Sequence, residues 1–388
     1  MKLATVYLGR KGGGNIYSFS MACELANFID QVCIISSFNQ NLRDWKKLNC
    51  YCVDTYENVV GFFFSLVNKK KIWKVIDAIF AFDADLVYFP MLHTWSPFIL
   101  SAIKRLKPSA QVFATIHDPV LHLGERNPYL YFQQRFVIRK SDALILLSSC
   151  YKEMLFKKHG ITDDRILVLP HGIFNYYFDG LSFEEDYSKK ILLKDNAKQG
   201  VQFVVAFLGR IKRYKGLEVL LRAFQKFEVG KSDVRLVIAG EGKLSRKEAK
   251  LISELPENKV YVLNRWLSDV EISYLVKASD VIVAPYICGT QSGVVSMAFA
   301  AGKPVIVSDC GGLPEQVGFG KFGLITKAGD VFSLSEALEY IYVDSELRKT
   351  LINNIKQYAL EELSWRNQAK KLYEFMSSFL PSKRVDNS

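Results

Sequence analysis

Almost from end to end, the sequence alternates short, continuously apolar runs with stretches of helical period. In the first half the runs are LATVYLG (3–9), QVCIISS (31–37), DLVYFP (85–90), QVFATIH (111–117), ALILLSS (143–149) and ILVLPHG (166–172). Between them lie helical stretches such as NIYSFSMACELANF (15–28) and PFILSAIKRLK (97–107). A strand apolar along its whole length must be covered on both faces, and an intervening helix returns the chain to run parallel. The pattern therefore predicts an α/β fold on a parallel sheet sandwiched between helices.

The rhythm breaks near residue 173, where FNYYFDGLSFEEDYSKKILLKDNAKQGV (174–201) is polar and irregular. It resumes with VQFVVAFLG (201–209), VRLVIAG (234–240), KVYVLN (259–264), DVIVAP (280–285) and KPVIVSD (303–309). Two Rossmann-like halves are expected: a domain over 1–175, a linker over 176–200 and a second domain over 201–362. Residues 363–388 would add an amphipathic helix packed back on the body and a disordered tail. Such sheets bind ligands outside the C-terminal ends of their strands. Two of them facing each other predict a cleft with a nucleotide on one wall and a second substrate on the other.

Composition excludes several classes. The longest apolar run near the front, VVGFFFSLV (59–67), is too short to span a bilayer. The opening MKLATVYLG has no small-residue cleavage site and does not read as a signal peptide. Seven cysteines without CxxC spacing or histidines at ligand spacing argue against structural zinc and for a reducing cytoplasm. The net charge of +11 leans to the front, where residues 1–175 carry 21 Lys/Arg against 14 Asp/Glu. Two stretches there, FFFSLVNKKKIWKV (62–75) and RNPYLYFQQRFVIRK (126–140), mix bases with aromatics. Either Phe62, Phe63, Phe64, Ile72 and Trp73 are core and the lysines a solvated face, or the surface docks peripherally on the inner face of the plasma membrane. No motif supports nucleic-acid binding.

Two motifs carry chemistry. In FLGRIKRYKGLEVLLRAF (207–224) a strand ends at Gly209, and a loop bearing Arg210, Lys212, Arg213 and Lys215 leads into a helix near Gly216. Cations at the ligand end of a strand, beside a helix start, suit a polyphosphate, although a solvated basic loop would look the same. In GTQSGVVSMAFAAGKPVIVSD (289–309), Thr290, Gln291, Ser292 and Gly293 fall where a helix begins. There the amides of Ser292, Gly293 and Val294 would face an anion; the plain alternative is an N-cap by Ser292 or Thr290.

The segments FLGR, LVIAGEG (236–242), ISYLVKASDVIVAPY (272–286) and AGKPVIVSDCGGLPEQV (301–317) together resemble the C-terminal half of the retaining GT-B glycosyltransferases of family 4. KGGGNIYSFSMACELA (11–26), TIHDP (115–119), SDALILLSS (141–149) and ILVLPHGI (166–173) resemble the first half more loosely. The resemblance implies a GT-B fold, a nucleotide-diphosphate sugar donor, a saccharide or lipid-linked acceptor, and no metal or other cofactor. It assigns Arg210 and Lys215 to the donor diphosphate and the leaving group, and His117 to the donor sugar. Gly12, Gly13 and Gly14 would close over the donor. Gly240, Glu241 and the Asn264–Trp266 loop would lie by the nucleoside, and Gly289–Val294 would cap the phosphates.

One departure stands out. The family places two glutamates eight positions apart in this segment, and those positions hold Gly289 and Met297 here. TQSGV resembles a subset that lacks the pair. Either Gln291 and Ser292 take over sugar contacts, or the chain binds a nucleotide sugar without turning it over. Because Arg210, Lys215 and His117 remain, the expectation is retained catalysis. A GT-B sugar-nucleotide epimerase, which needs acid and base carboxylates in the cleft, is the weaker rival. Among other polar residues, His171 is read as holding backbone geometry and His93 as structural, the alternative being that His93, just beyond the strand 85–90, faces the acceptor. Asp118 and Glu125 are possible acceptor or sugar contacts.

Overall fold

A computed structural model describes residues 1–56, 58–120, 127–178 and 203–380. The expected linker from residue 179 onward, the tail from 381, and Glu125 lie outside them. The chain divides into two compact units, one of 1–119, 126–172 and 364–388, the other of 120–125 and 173–363.

The first unit is built on strands β1 (Lys2–Tyr7), β2 (Asp30–Ser36), β3 (Cys50–Val53), β4 (Leu86–Phe89), β5 (Gln111–Ile116), β6 (Ala143–Leu146) and β7 (Ile166–Val168). They form one parallel sheet in the order β3-β2-β1-β4-β5-β6-β7. Alternation along β1 explains how both faces are covered. Ala4, Val6 and Leu8 join Val75, Ile79, Leu100 and Ile103 in one cluster, while Tyr7 packs with Ala22, Cys33, Ile35 and Trp45 in another. The C-terminal helix Trp365–Ser377 packs on the helix Gly13–Leu25 and belongs to this unit.

The second unit repeats the plan with β8 (Phe203–Leu208), β9 (Val234–Ala239), β10 (Val260–Leu263), β11 (Val281–Ala284), β12 (Val305–Ser308) and β13 (Gly323–Thr326), ordered β10-β9-β8-β11-β12-β13. Its first helix, Leu217–Phe227, buries Leu217, Leu220, Leu221, Phe224 and Phe227, as their helical spacing predicts. Each unit is thus a doubly wound sheet, and together they make an α/β two-domain GT-B-like fold. The order reverses between β1 and β4 and again between β8 and β11, and at such switch points loops diverge and leave room for a ligand.

The sequence reading misses β3 and β13. Both are edge strands of only four residues, too short to stand out as apolar runs, and β3 leaves Tyr51 and Cys52 exposed. The run 59–67 is a helix, and among the described residues no helix is long and apolar enough to cross a membrane. The core reading of 62–75 holds for Ile72, which is buried, but fails for Phe63 and Phe64, which are 61% and 71% exposed, and for Trp73.

Candidate functional site

The switch point of the second unit gathers the segments expected to bind phosphate. β8 ends at Leu208, and the loop that follows from Gly209 makes a single 3₁₀ turn over Arg213–Lys215 before the helix starts. Gly216 closes that turn with φ 70°, and a β-carbon there would lie 1.9 Å from the Pro285 carbonyl oxygen. The Ile287 amide donates to the Tyr214 carbonyl at 2.7 Å. The basic loop is thereby fastened, backbone to backbone, to the segment after β11.

That fastening aims Lys215. Its Nζ donates to Tyr286 Oη at 3.0 Å, and Tyr286 Oη shares a 2.8 Å hydrogen bond with Ser292 Oγ. A β-carbon on Gly209 would be 3.1 Å from Lys215 Nζ and 3.6 Å from Val294 Cγ2. The ammonium therefore sits over the bare backbone of Gly209, next to the first turn of the helix Gly293–Ala300. Arg210, one residue on, is exposed, and its side chain makes no hydrogen bond or ion pair among the described residues.

The helix start differs from expectation in one respect. Three open amides were expected, but the Ser292 N–H donates to Gln316 Oε1 at 3.0 Å. Gln316 Nε2 in turn donates to the Ser292 carbonyl at 2.9 Å and to Ser296 Oγ at 3.2 Å. Gln316 is buried, so its carboxamide clamps Ser292 from the core side. The amides left facing outward are those of Gly293 and Val294, beside the positive end of the helix. Thr290 is buried and its carbonyl accepts from the Gly312 amide at 2.8 Å, while Gln291 is half-buried. Neither Gly289 nor Met297 supplies a carboxylate, and Met297 lies in the core.

On the other side of β8, Gly240 has φ 145°, and a β-carbon on it would lie 2.2 Å from the Gly209 carbonyl oxygen. No side chain fits between these two strand ends. Asn264 Oδ1 accepts from the Gly242 amide at 3.1 Å, which fixes the turn carrying exposed Glu241. Trp266 is 40% exposed next to a bidentate Arg265–Glu271 pair, whose guanidinium draws the Glu271 carboxyl down to about 2.

The first unit has a neutral counterpart. His117 follows β5, and its Nε2 lies 2.8 Å from the Pro90 carbonyl oxygen just after β4. A carbonyl can only accept, so Nε2 carries the proton and Nδ1 keeps its lone pair. The ring meets Tyr17 edge-on at 4.7 Å, and Tyr17 also contacts His171 at 5.1 Å and Trp365 at 5.3 Å. Burial lowers the pKa of His117, and burial with the His117 neighbour takes His171 down to about 3. Both imidazoles are therefore neutral near pH 7.

Gly13 and Gly14 open the helix Gly13–Leu25 rather than a loop, with only Gly12 at a left-handed φ of 85°. A β-carbon on Gly14 would lie 2.9 Å from Met91 Cε. His93 reads as structural: its Nδ1 accepts from the Trp95 amide at 3.3 Å, and burial, with Arg10 nearby, lowers its pKa to about 3. Asp118 gives its carbonyl to Gln134 Nε2. Among the described residues no three His, Cys, Asp or Glu side chains are grouped to hold a metal ion.

Three residues here were not foreseen. Tyr286 and Gln316 hold Lys215 and Ser292 in place, and Asn15 ties down the start of its helix by accepting from Trp45 Nε1 and Asn39 Nδ2. Tyr286 could have been suspected from its place just beyond β11. Gln316 had no signal, since its partner is 24 residues away.

Comparison with known proteins bears on the fold and the domain families. The "Glycosyl transferases group 1" profile matches residues 188–358, and "Glycosyltransferase Family 4" matches residues 11–174. The two profiles together cover most of the chain, which thus carries a family 4 glycosyltransferase domain followed by a group 1 glycosyltransferase domain. It is 29% identical, over 235 residues, to an uncharacterised glycosyltransferase of Methanocaldococcus jannaschii, covering 60% of this chain and 59% of that one. It is 27% identical to the capsular polysaccharide biosynthesis glycosyltransferase CapM of Staphylococcus aureus, covering 65% of each. Anabaena HepE, solved with UDP-glucose, shares the fold with a TM-score of 0.73 at 18% identity, covering 97% of this chain and all of that one.

Proposed function

We propose that this protein transfers a hexosyl group, with retention, from a nucleotide-diphosphate sugar to a saccharide or lipid-linked saccharide, in the assembly of cell-surface polysaccharide or glycolipid. The observation that carries the proposal is the Lys215–Tyr286–Ser292 chain, which holds an ammonium beside Gly209 and the open amides of Gly293 and Val294. Such a site fits a diphosphate and suits a leaving group whose charge grows as it departs.

In this reading the bond from the sugar C1 to the β-phosphate oxygen breaks. A bond from C1 to the acceptor oxygen forms on the same face, and the departing phosphate oxygen takes the acceptor's proton. Charge is met by Lys215, by Arg210 and by the helix start, without a metal. One preorganised donor of this kind contributes about 3–4 kcal/mol to the barrier reduction. Missing glutamates remove contacts to sugar or ribose hydroxyls but leave that device intact. His117 is assigned to the donor sugar as an acceptor: a neutral ring with its Nε2 proton committed to Pro90 offers Nδ1 to a hydroxyl.

The relative in capsular polysaccharide synthesis supports the pathway, and the fold neighbour makes a uridine nucleotide the first donor to try. The test is release of nucleoside diphosphate from UDP-, GDP- and ADP-sugars in excess EDTA. Turnover in EDTA is expected with one donor base. Activity abolished by EDTA and restored by Mg²⁺ or Mn²⁺ would overturn the electrostatic account. Tight donor binding with no turnover for any acceptor would favour a nucleotide-sugar-binding partner subunit instead.

A further inference from the structure

The two basic, aromatic stretches of the first half are far apart in sequence but adjoin in the structure. The helix Val59–Val67 is anchored on its inner side, where buried Ser65 accepts from Trp95 Nε1 at 2.9 Å and Phe62 packs on Tyr56 at 5.3 Å. Phe62 also meets Tyr129 at 5.4 Å, Tyr129 meets Phe132 at 6.3 Å, and Phe132 meets Phe136 at 5.8 Å. A continuous row of rings thus joins this helix to the helix Pro128–Lys140.

Outward from that row, Val60 is 65%, Phe63 61%, Phe64 71% and Phe132 51% exposed. Val60, Phe63 and Phe64 point out because their helix is pinned from behind. The cations lie alongside. Lys69, Lys70, Lys71 and Lys74 are exposed at the start of the next helix, and Arg135, Arg139 and Lys140 line a shallow depression with Phe132 and Phe136. Residues 58–76 and 127–140 contain no Asp or Glu.

We infer that this face docks the first unit onto an anionic lipid bilayer, with Val60, Phe63 and Phe64 entering the acyl boundary and the bases at the headgroups. A membrane interface matches both halves of the pattern: apolar groups that gain by leaving water, and cations that gain from a negative surface. Nucleic acid matches only the cations and rings, because Val60 has no flat face to stack on a base. The inference is independent of the donor-site reading, since docking needs no nucleotide sugar.

The experiment is flotation of the full chain with vesicles of phosphatidylcholine alone and of phosphatidylcholine mixed with phosphatidylglycerol. Binding to the anionic vesicles is expected to exceed that to neutral ones by about tenfold or more and to weaken with salt. The double variant Phe63→Ser/Phe64→Ser should lose about tenfold at every salt concentration, and Arg135→Glu/Arg139→Glu should lose a similar amount together with the salt dependence. All four positions are exposed, and an unchanged thermal unfolding midpoint serves as the folding control. In a separate variant, Phe64→Trp, the fluorescence should shift to the blue on anionic vesicles. Equal binding to both vesicle types, or full binding by the Phe63/Phe64 variant, would overturn the inference. So would displacement from vesicles by single-stranded RNA held more tightly by the same face.

Discussion

At the end of β8 in the second unit the chain presents positive charge on a rigid backbone, whereas at the end of β5 in the first unit it presents a ring cluster that keeps charge out. Arg210 is exposed and Lys215 half-exposed, while the backbone under them is so closely apposed that Gly216 and Gly240 leave no room for a side chain. Around His117 the reverse holds: Tyr17 is buried, the rings meet edge to edge, and both imidazoles are neutral. An anion site gains from cations that stay partly hydrated until the ligand arrives, because burying an uncompensated charge costs several kcal/mol. A site for uncharged hydroxyls gains from a neutral acceptor fixed in one tautomer.

The first way to break this comparison is to remove the charge. Arg210→Ala and Lys215→Ala should each lower turnover by about 10²- to 10³-fold, or about 3–4 kcal/mol, with little change in folding. Initial-rate assays of nucleoside diphosphate release check this; loss of donor binding from a protein with no turnover at all would mark it as a binding subunit. Next comes the backbone beneath. Gly216→Ala puts a β-carbon into the Pro285 carbonyl at a left-handed φ and should cost about 3 kcal/mol, read from urea unfolding.

Gln316→Leu sharpens the comparison by leaving the charges in place and releasing the clamp. It strands the Ser292 amide and carbonyl, and should cost about 1–3 kcal/mol of stability while weakening UDP binding measured by calorimetry. If UDP binding were unchanged, the clamp would be structural only.

A pH titration tests the neutral side. His171 has a folded pKa of about 3 against an ordinary 6.5, so below 6.5 the unfolded chain takes up the proton first. Its contribution to stability is complete above pH 6.5 and is lost as pH falls from 6.5 towards 3. The slope is about 1.4 kcal/mol per pH unit for each such histidine. His171→Asn should flatten unfolding free energy against pH in that window, and an unchanged slope would show that the cluster admits the charged ring.

Much of the second unit was legible in the chain. The periodicity of residues 217–227 gives the helix, and the glycines and bases after the strand ending at Gly209 mark the ligand edge. Less was legible in the first unit, because aromatic residues next to lysines read equally as core or surface. Phe62 and Phe63 adjoin in sequence, yet packing turns one towards Tyr129 and the other to solvent.

By itself the sequence determined the two doubly wound sheets and the stretches at their ligand edges, since local period and turn residues record which strands are covered and where they end. Only the tertiary structure decided that Lys215 bonds Tyr286, that Gln316 takes the Ser292 amide, and that two distant helices share one row of rings. The first two contacts join residues 71 and 24 positions apart, and they exist because the strand order sets β11 between β8 and β12. Side-chain period carries no record of that neighbour relation.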